Sequence, residues 1–111
     1  MKHVVLVCAA ALLAAALLAP DSTTAATRAA SGQQVFAASC AQCHAANTTA
    51  TQIGPGLMGL YKRKKMPATG KPVSDANVRA QIVNGGGGMP AFGGTLSAAD
   101  INAVIAYLKT L

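Results

Sequence analysis

The amino-acid sequence predicts an all-α domain of three to four short helices joined by long loops. Three observations point there. No stretch alternates apolar and polar residues as a half-buried strand would. Near the end of the chain Ile101, Val104, Ile105 and Leu108 repeat at i, i+3, i+4 and i+7, a single buried helical stripe. Elsewhere, glycine and proline clusters at 54–56 and 85–90 interrupt any regular pattern.

The chain opens with a segment that is not part of that domain. Met1-Lys2-His3 is a short positive start, and residues 4–19 form an unbroken apolar run. Pro20 and Asp21 end the run, and the small residues Thr23, Thr24, Ala25 and Ala26 follow. This is the layout of an export signal. Residues 1–26 therefore read as a signal peptide cleaved near Ala25-Ala26, and 27–111 as one domain. The run falls short of the roughly 20 residues that span a bilayer comfortably. Left uncleaved, it would tether the domain to the inner membrane. Cys8 does not fit a lipoprotein site, because few apolar residues precede it and Val7 stands where a small residue belongs.

Losing the leader removes His3 and Cys8, so two cysteines and one histidine remain. It also means that the 52% hydrophobic content overstates the domain's apolar character. From Thr27 onward, eight Lys and Arg face two Asp and no Glu, a balance of +6. About 85 residues bury only about 60–65% of their unfolded surface, so stability is marginal. There is no tryptophan, and two phenylalanines and two tyrosines must serve a core. A Cys40–Cys43 disulfide would close too short a loop to help much. A large planar apolar group would supply the missing contact area.

Each helix has its own signals. Ser31 is the expected N-cap of a first helix over 31–38, with Val35 and Phe36 apolar, running directly into Cys40. Residues 45–66 are irregular and contain Gly54-Pro55-Gly56 and the start of a basic run at 62–65. A second helix begins at Ser74-Asp75, sets Val78 and Ile82 four apart, and stops at Asn84-Gly85. A glycine loop then leads to Met89-Pro90. Ser97 and Asp100 open the last helix with a capping box that has Asp in place of Glu. Loops this long in so small a domain need something to organise them.

Cys40-Ala41-Gln42-Cys43-His44 has the spacing of a c-type haem attachment site. Two thiols on one helical turn can each add to a vinyl group of the porphyrin, and the following imidazole is carried under the iron. Zinc would want four protein ligands, and only Cys40, Cys43 and His44 are on offer. A thioredoxin-like pair would need a βαβ pattern, which is absent. On the other face of the iron, no second histidine remains, so the candidates are Met58, Met66, Met89 and a lysine. Met66 lies close after His44 and leaves little chain to wrap the haem edge. Met89 lies past a helix, in a loop whose glycines allow close approach and with Pro90 fixing the geometry behind it. Position favours Met89. Met58 and Met66 are left as packing or surface residues. Gly86-x-Gly88-x-x-Ala91 loosely matches a nucleotide-binding fingerprint, but no strand precedes it and Pro90 spoils the helix opening.

With Gly32 and Phe36 before the motif, Gly54-Pro55 after it, and Met89-Pro90 ahead of a last helix carrying Tyr107, the chain resembles the class I (monohaem) cytochrome c family in its short bacterial form. The resemblance covers 31–111. It implies the cytochrome c fold, with the loops wrapped around one covalent haem c held by Cys40 and Cys43. It implies that first and last helices cross, with Gly32 and Phe36 meeting Tyr107. It also implies that the Pro55 carbonyl accepts a hydrogen bond from His44. The sequence departs from some relatives in having no tryptophan for a haem propionate. Tyr61, Arg63, Arg79 and nearby backbone groups are the alternatives, and the choice among them stays open.

His44 and Met89 as iron ligands leave no position for a substrate and raise the reduction potential. The expected function is therefore one-electron transfer in the periplasm, by a carrier and not an enzyme. The positive balance suits redox partners with acidic docking surfaces, and 62–65 is the obvious patch. Nucleic acid and small-molecule substrates are not expected, and a membrane only if the leader is kept. Two alternatives differ in class: a haem sensor or peroxidase-like protein with a displaceable Met89, and a cytochrome subunit of a dehydrogenase complex.

Overall fold

The computed structural model describes residues 22–111, so His3, Cys8 and the apolar run of the predicted leader lie outside the described residues. Three helices follow in order: α1 (Ser22–Ser39), α2 (Asp75–Asn84) and α3 (Ala98–Leu108), with a single 3-10 turn at Leu60–Lys62. No strand occurs among them; only isolated bridges pair Lys65 with Pro72 and Gly86 with Met89.

The first helix starts well before the predicted Ser31. Residues 22–30 are rich in alanine and contain neither glycine nor proline, so intrinsic propensity extends the helix backward. Ser31-Gly32 is too weak an interruption to stop it. Nearly all side chains of residues 23–30 are exposed, and burial begins only at Gly32 and Phe36, one turn apart.

The predicted caps of α2 and α3 form. Ser74 accepts from the Asn77 N–H, and Gly85 closes α2 with φ 66° while its N–H donates to Gln81 O. At α3 the Ser97 side chain accepts from the Asp100 N–H, and the Asp100 carboxylate accepts from the Ser97 N–H. Such caps contribute about 1 kcal/mol each. Val78 and Ile82 face inward from α2, and Ile101, Ala103, Val104, Ile105 and Leu108 from α3. Phe36, Leu60 and Met66 complete the buried cluster.

α3 packs mainly against α1 and more lightly against α2. The α1–α3 crossing requires a bare backbone at one point. A Cβ on Gly32 would overlap the Ala103 carbonyl oxygen and sit 2.8 Å from the Tyr107 Cβ. One turn on, the Phe36 and Tyr107 rings meet at 5.4 Å between centroids, tilted by 58°, a favourable aromatic geometry. Two residues past Tyr107, Lys109 joins Asp75 at 2.7 Å, tying the end of α3 to the first turn of α2. Both partners are about half exposed, so the pair contributes under about 1 kcal/mol.

Gly32→Ala tests the crossing. Alanine favours an isolated helix by about 1 kcal/mol, yet overpacking here should cost a net 1–3 kcal/mol or so. Denaturant unfolding of the variant should show a lower midpoint with an unchanged slope.

Candidate haem-binding site

The predicted attachment motif continues directly from the helix that the crossing anchors. Phe36 O accepts from both Cys40 N (2.8 Å) and Ala41 N (2.9 Å). Cys40 O then accepts from Cys43 N (3.1 Å) and His44 N (3.0 Å), closing one tight turn. Cysteines at i and i+3 of such a turn lie on one side, about 5–6 Å apart at Cβ. Both thiols are unbridged and half-buried. Burial first, and the neighbouring Cys43 second, push the Cys40 pKa up to about 11, so it stays a neutral thiol until it reacts.

His44 is fixed by the loop that follows. Its Nδ1 lies 2.9 Å from Pro55 O. A carbonyl only accepts, so Nδ1 carries the proton and the Nε2 lone pair is left for a metal. Gly54 N donates to Cys43 O at 2.8 Å, which brings the loop flat against the ring. A Cβ on Gly54 would stand 2.5 Å from His44 Cε1 and 2.8 Å from Nδ1. Further on, Leu57 N reaches Ala45 O and Met58 N reaches Thr48 O.

The three propionate candidates occupy different places. Tyr61 packs under the Lys109 ammonium, 5.5 Å from its ring centroid, between the ends of α2 and α3. Its buried hydroxyl has no hydrogen-bond partner among the described residues. Burial, and then the nearby Asp75 carboxylate, raise its pKa well above the usual phenol value. Arg79 bonds Asn102 on α3. Arg63 alone turns to the loop beside His44, donating from Nη2 to Gly56 O (3.0 Å) and Met58 O (2.6 Å).

Met89 is presented by a two-residue hairpin. Gly86 N donates to Met89 O (2.9 Å), and Met89 N donates back to Gly86 O (3.2 Å). The central residues Gly87 and Gly88 have φ 62° and 91°, as a primed turn requires and as glycine alone adopts freely. Phe92 N and Gly93 N then bind the Ile82 and Val83 carbonyls at the end of α2. Met89 is half-buried against the core, and its sulfur accepts a long hydrogen bond, 3.7 Å, from Gln81 Nε2. Sequence reasoning missed Gln81, although Asn77, Gln81 and Asn84 form a polar helical stripe beside the apolar one. Of the other methionines, Met58 is 44% exposed and Met66 is 8% exposed in the core.

An all-α domain with two thiols and an oriented imidazole on one turn is built to hold a porphyrin covalently. Known proteins agree. The family model for cytochrome c oxidase, cbb3-type, subunit III matches residues 27–108. Cytochrome c6 of Picosynechococcus sp. is 43% identical over 82 residues, covering 72% of this chain and 70% of the relative. Cytochrome c2 iso-1 of Magnetospirillum molischianum is 34% identical over 89 residues, covering 65% and 89%. The solved cytochrome c6 of the diatom Phaeodactylum tricornutum superposes with a TM-score of 0.59 at 32% identity, covering 74% of this chain and 91% of that one. The chain belongs to the class I (monohaem) cytochrome c family. It carries a covalently bound c-type haem on Cys40 and Cys43, and it is a one-electron carrier.

Gly54→Ala probes the proximal loop in the haem-loaded protein. Pushing His44 off Pro55 O should cost about 1 kcal/mol for the bond and as much again in overpacking. Unfolding should show the loss, and NMR should show the imidazole Nδ1 proton exchanging faster.

Proposed function

We propose a periplasmic electron carrier in which His44 and Met89 are the axial ligands of the haem iron. The observation that carries this reading is the His44 Nδ1–Pro55 O bond, which leaves Nε2 as the ring's one free ligand atom. Met89 supports it from the opposite side of the sequence, held by a rigid turn and with a donor at its sulfur. When bound, the haem supplies a reversible Fe(II)/Fe(III) couple. The chain's own part is to hold the imidazole tautomer, to keep the thioether sulfur weakly polarised, and to shield both from water. With both axial positions filled, no turnover chemistry at the iron is assigned.

Export rests on the leader at 1–26. Cleavage near Ala25-Ala26 removes only the exposed first residues of α1, well before the crossing at Gly32. No helix among the described residues is long and apolar enough to cross a membrane.

The proposed partner is a redox protein with an acidic face. Both acids in the described residues are committed: Asp75 to Lys109, and Asp100 to its own helix cap. Lys64, Lys65 and Lys71 are exposed and have no counter-ion among the described residues. They sit on a small tongue closed by Met66 N to Lys71 O (2.8 Å) and Val73 N to Lys64 O (3.2 Å). That groups their charge on one projection of the surface.

A second reading, a displaceable Met89, draws on the glycines at 86–88, where an added Cβ would touch nothing within 4 Å. An optical redox titration under carbon monoxide decides. Ferric protein should show the methionine–iron charge-transfer band, and ferrous protein at neutral pH should bind little gas, whereas Met89→Ala should lose the band and bind the gas readily. Ready binding by the unaltered protein would overturn the closed-site carrier. Docking has its own measure: Lys64→Gln with Lys65→Gln should slow electron transfer to an acidic redox protein at low salt. Because screening is nearly complete by about 1 M salt, the difference should vanish there.

A further inference from the structure

Of the chain's four asparagines, Asn47, Asn77 and Asn102 are each followed by a residue with a side chain, and Asn84 alone precedes glycine. A glycine nitrogen has no Cβ beside it, so it can close on the amide carbon of the preceding side chain. Asn77 and Asn102 also have engaged amides: Asn77 Nδ2 donates to Pro72 O at 2.9 Å, and Asn102 Oδ1 accepts from Arg79. Asn84 is exposed, and its amide has no hydrogen-bond partner among the described residues. The glycine after it is imposed by the fold. Gly85 has φ 66°, and a Cβ there would stand 2.5 Å from Met89 O and 2.7 Å from the Pro90 carbonyl carbon. In the folded chain, however, the nitrogen is not free to react. Asn84 is the last helical residue of α2, and Gly85 N donates to Gln81 O at 2.8 Å. That turns the N–H along the helix axis, away from the neighbouring side chain. Phe92 N on Ile82 O (2.9 Å) and Gly93 N on Val83 O (3.1 Å) pin the residues just before Asn84.

We propose that Asn84 is a site of spontaneous deamidation through a succinimide, and that the turn after α2 is the lock on it. When the last turn of α2 opens, Gly85 N attacks Asn84 Cγ. The N–Cγ bond forms, the Cγ–Nδ2 bond breaks, and Nδ2 leaves as ammonia with the proton that Gly85 N gives up. Water then opens the ring at either carbonyl, to aspartate or to isoaspartate, so the net change is amide plus water to carboxylate plus ammonium. Helix ends open more readily than helix centres, so the returning loop sets how often the nitrogen is free. Both products put a carboxylate at the C-terminus of α2, where the helix dipole disfavours it. Isoaspartate also adds a backbone carbon, which moves Gly85 off Gln81 O and away from Met89 O. The modification is thus a permanent record of how long the turn has stood open, and it weakens the turn that admitted it. None of this depends on which atoms bind the iron.

The test incubates haem-loaded protein at neutral pH, in native buffer and in denaturant, and follows deamidation by peptide mass with isoaspartate read by enzymatic methylation. Trypsin cuts after Arg79 and Lys109, so one peptide carries both Asn84 and Asn102, an internal control. In denaturant, Asn84 should convert at least about tenfold faster than Asn102, and Asn84→Gln should yield no isoaspartate there. Native buffer should slow Asn84 by roughly tenfold or more, the size of one net hydrogen bond with the packing over it. Hydrogen exchange read by NMR supplies the independent measure: the slowing should match the protection of the Gly85 amide, since both need the bond to Gln81 O to open. Conversion at Asn84 no faster than at Asn102 in denaturant overturns the site. Equal rates in native buffer and denaturant overturn the lock. Slowing without matching protection at Gly85 overturns its assignment to this N–H.

Discussion

Where α1 crosses α3, two backbones approach until the Ala103 carbonyl occupies the space a Cβ at position 32 would need. This approach sets the position of everything downstream. Phe36 lies one turn along and meets the Tyr107 ring at a tilt. The Phe36 carbonyl then receives the first two N–H groups of the cysteine turn. The haem attachment site is thus hydrogen-bonded to the residue that anchors the crossing. A slip of α1 by one residue would rotate Phe36 by about 100° off α3 and carry both thiols with it.

From that fixed turn the fold is held by carbonyls more than by helices. Pro55 O holds His44, Cys43 O holds Gly54, Ala45 O and Thr48 O hold the next stretch, and Arg63 secures Gly56 O and Met58 O. A charged donor forms stronger hydrogen bonds than a neutral one, so a single guanidinium can stand in for a missing element of secondary structure. It also places a cation next to the loop that orients the imidazole. Structure and electrostatics at the proximal side therefore come from the same residue.

How legible this was depended on distance along the chain. The attachment motif, the α3 stripe and the caps at Ser74 and Ser97 are local patterns, and each appears where the sequence places it. The start of α1 was not legible, because an alanine-rich run carries no stop signal and Ser31 resembles a cap without acting as one. The roles of Arg63, Tyr61 and Arg79 were also out of reach. All three are basic or aromatic residues near the middle of the chain, and only the fold separates Arg63 beside His44 from Tyr61 under Lys109 and from Arg79, which joins α2 to Asn102 of α3. Gln81 lies between these cases. Its polar stripe is visible in the sequence, but its contact with Met89 depends on the turn that brings the loop back.

That turn bears on whether this carrier has a closed or an open site. Four consecutive glycines would ordinarily suggest a slack linker, since each costs more backbone entropy to order than an alanine. Here all four have positive φ, and the chain is doubly bonded across Gly86 and Met89. A residue other than glycine would be strained at Gly87 and Gly88, by roughly 1–2 kcal/mol each. Glycine therefore serves the hairpin's geometry, and the loop's ends are secured by Ile82 O and Val83 O on the far side. On the proposed ligation, a sulfur held this way would change position little when an electron arrives or leaves. Small change between states is what one-electron exchange at a filled iron needs, so the most permissive residues in the chain build its most restrictive feature.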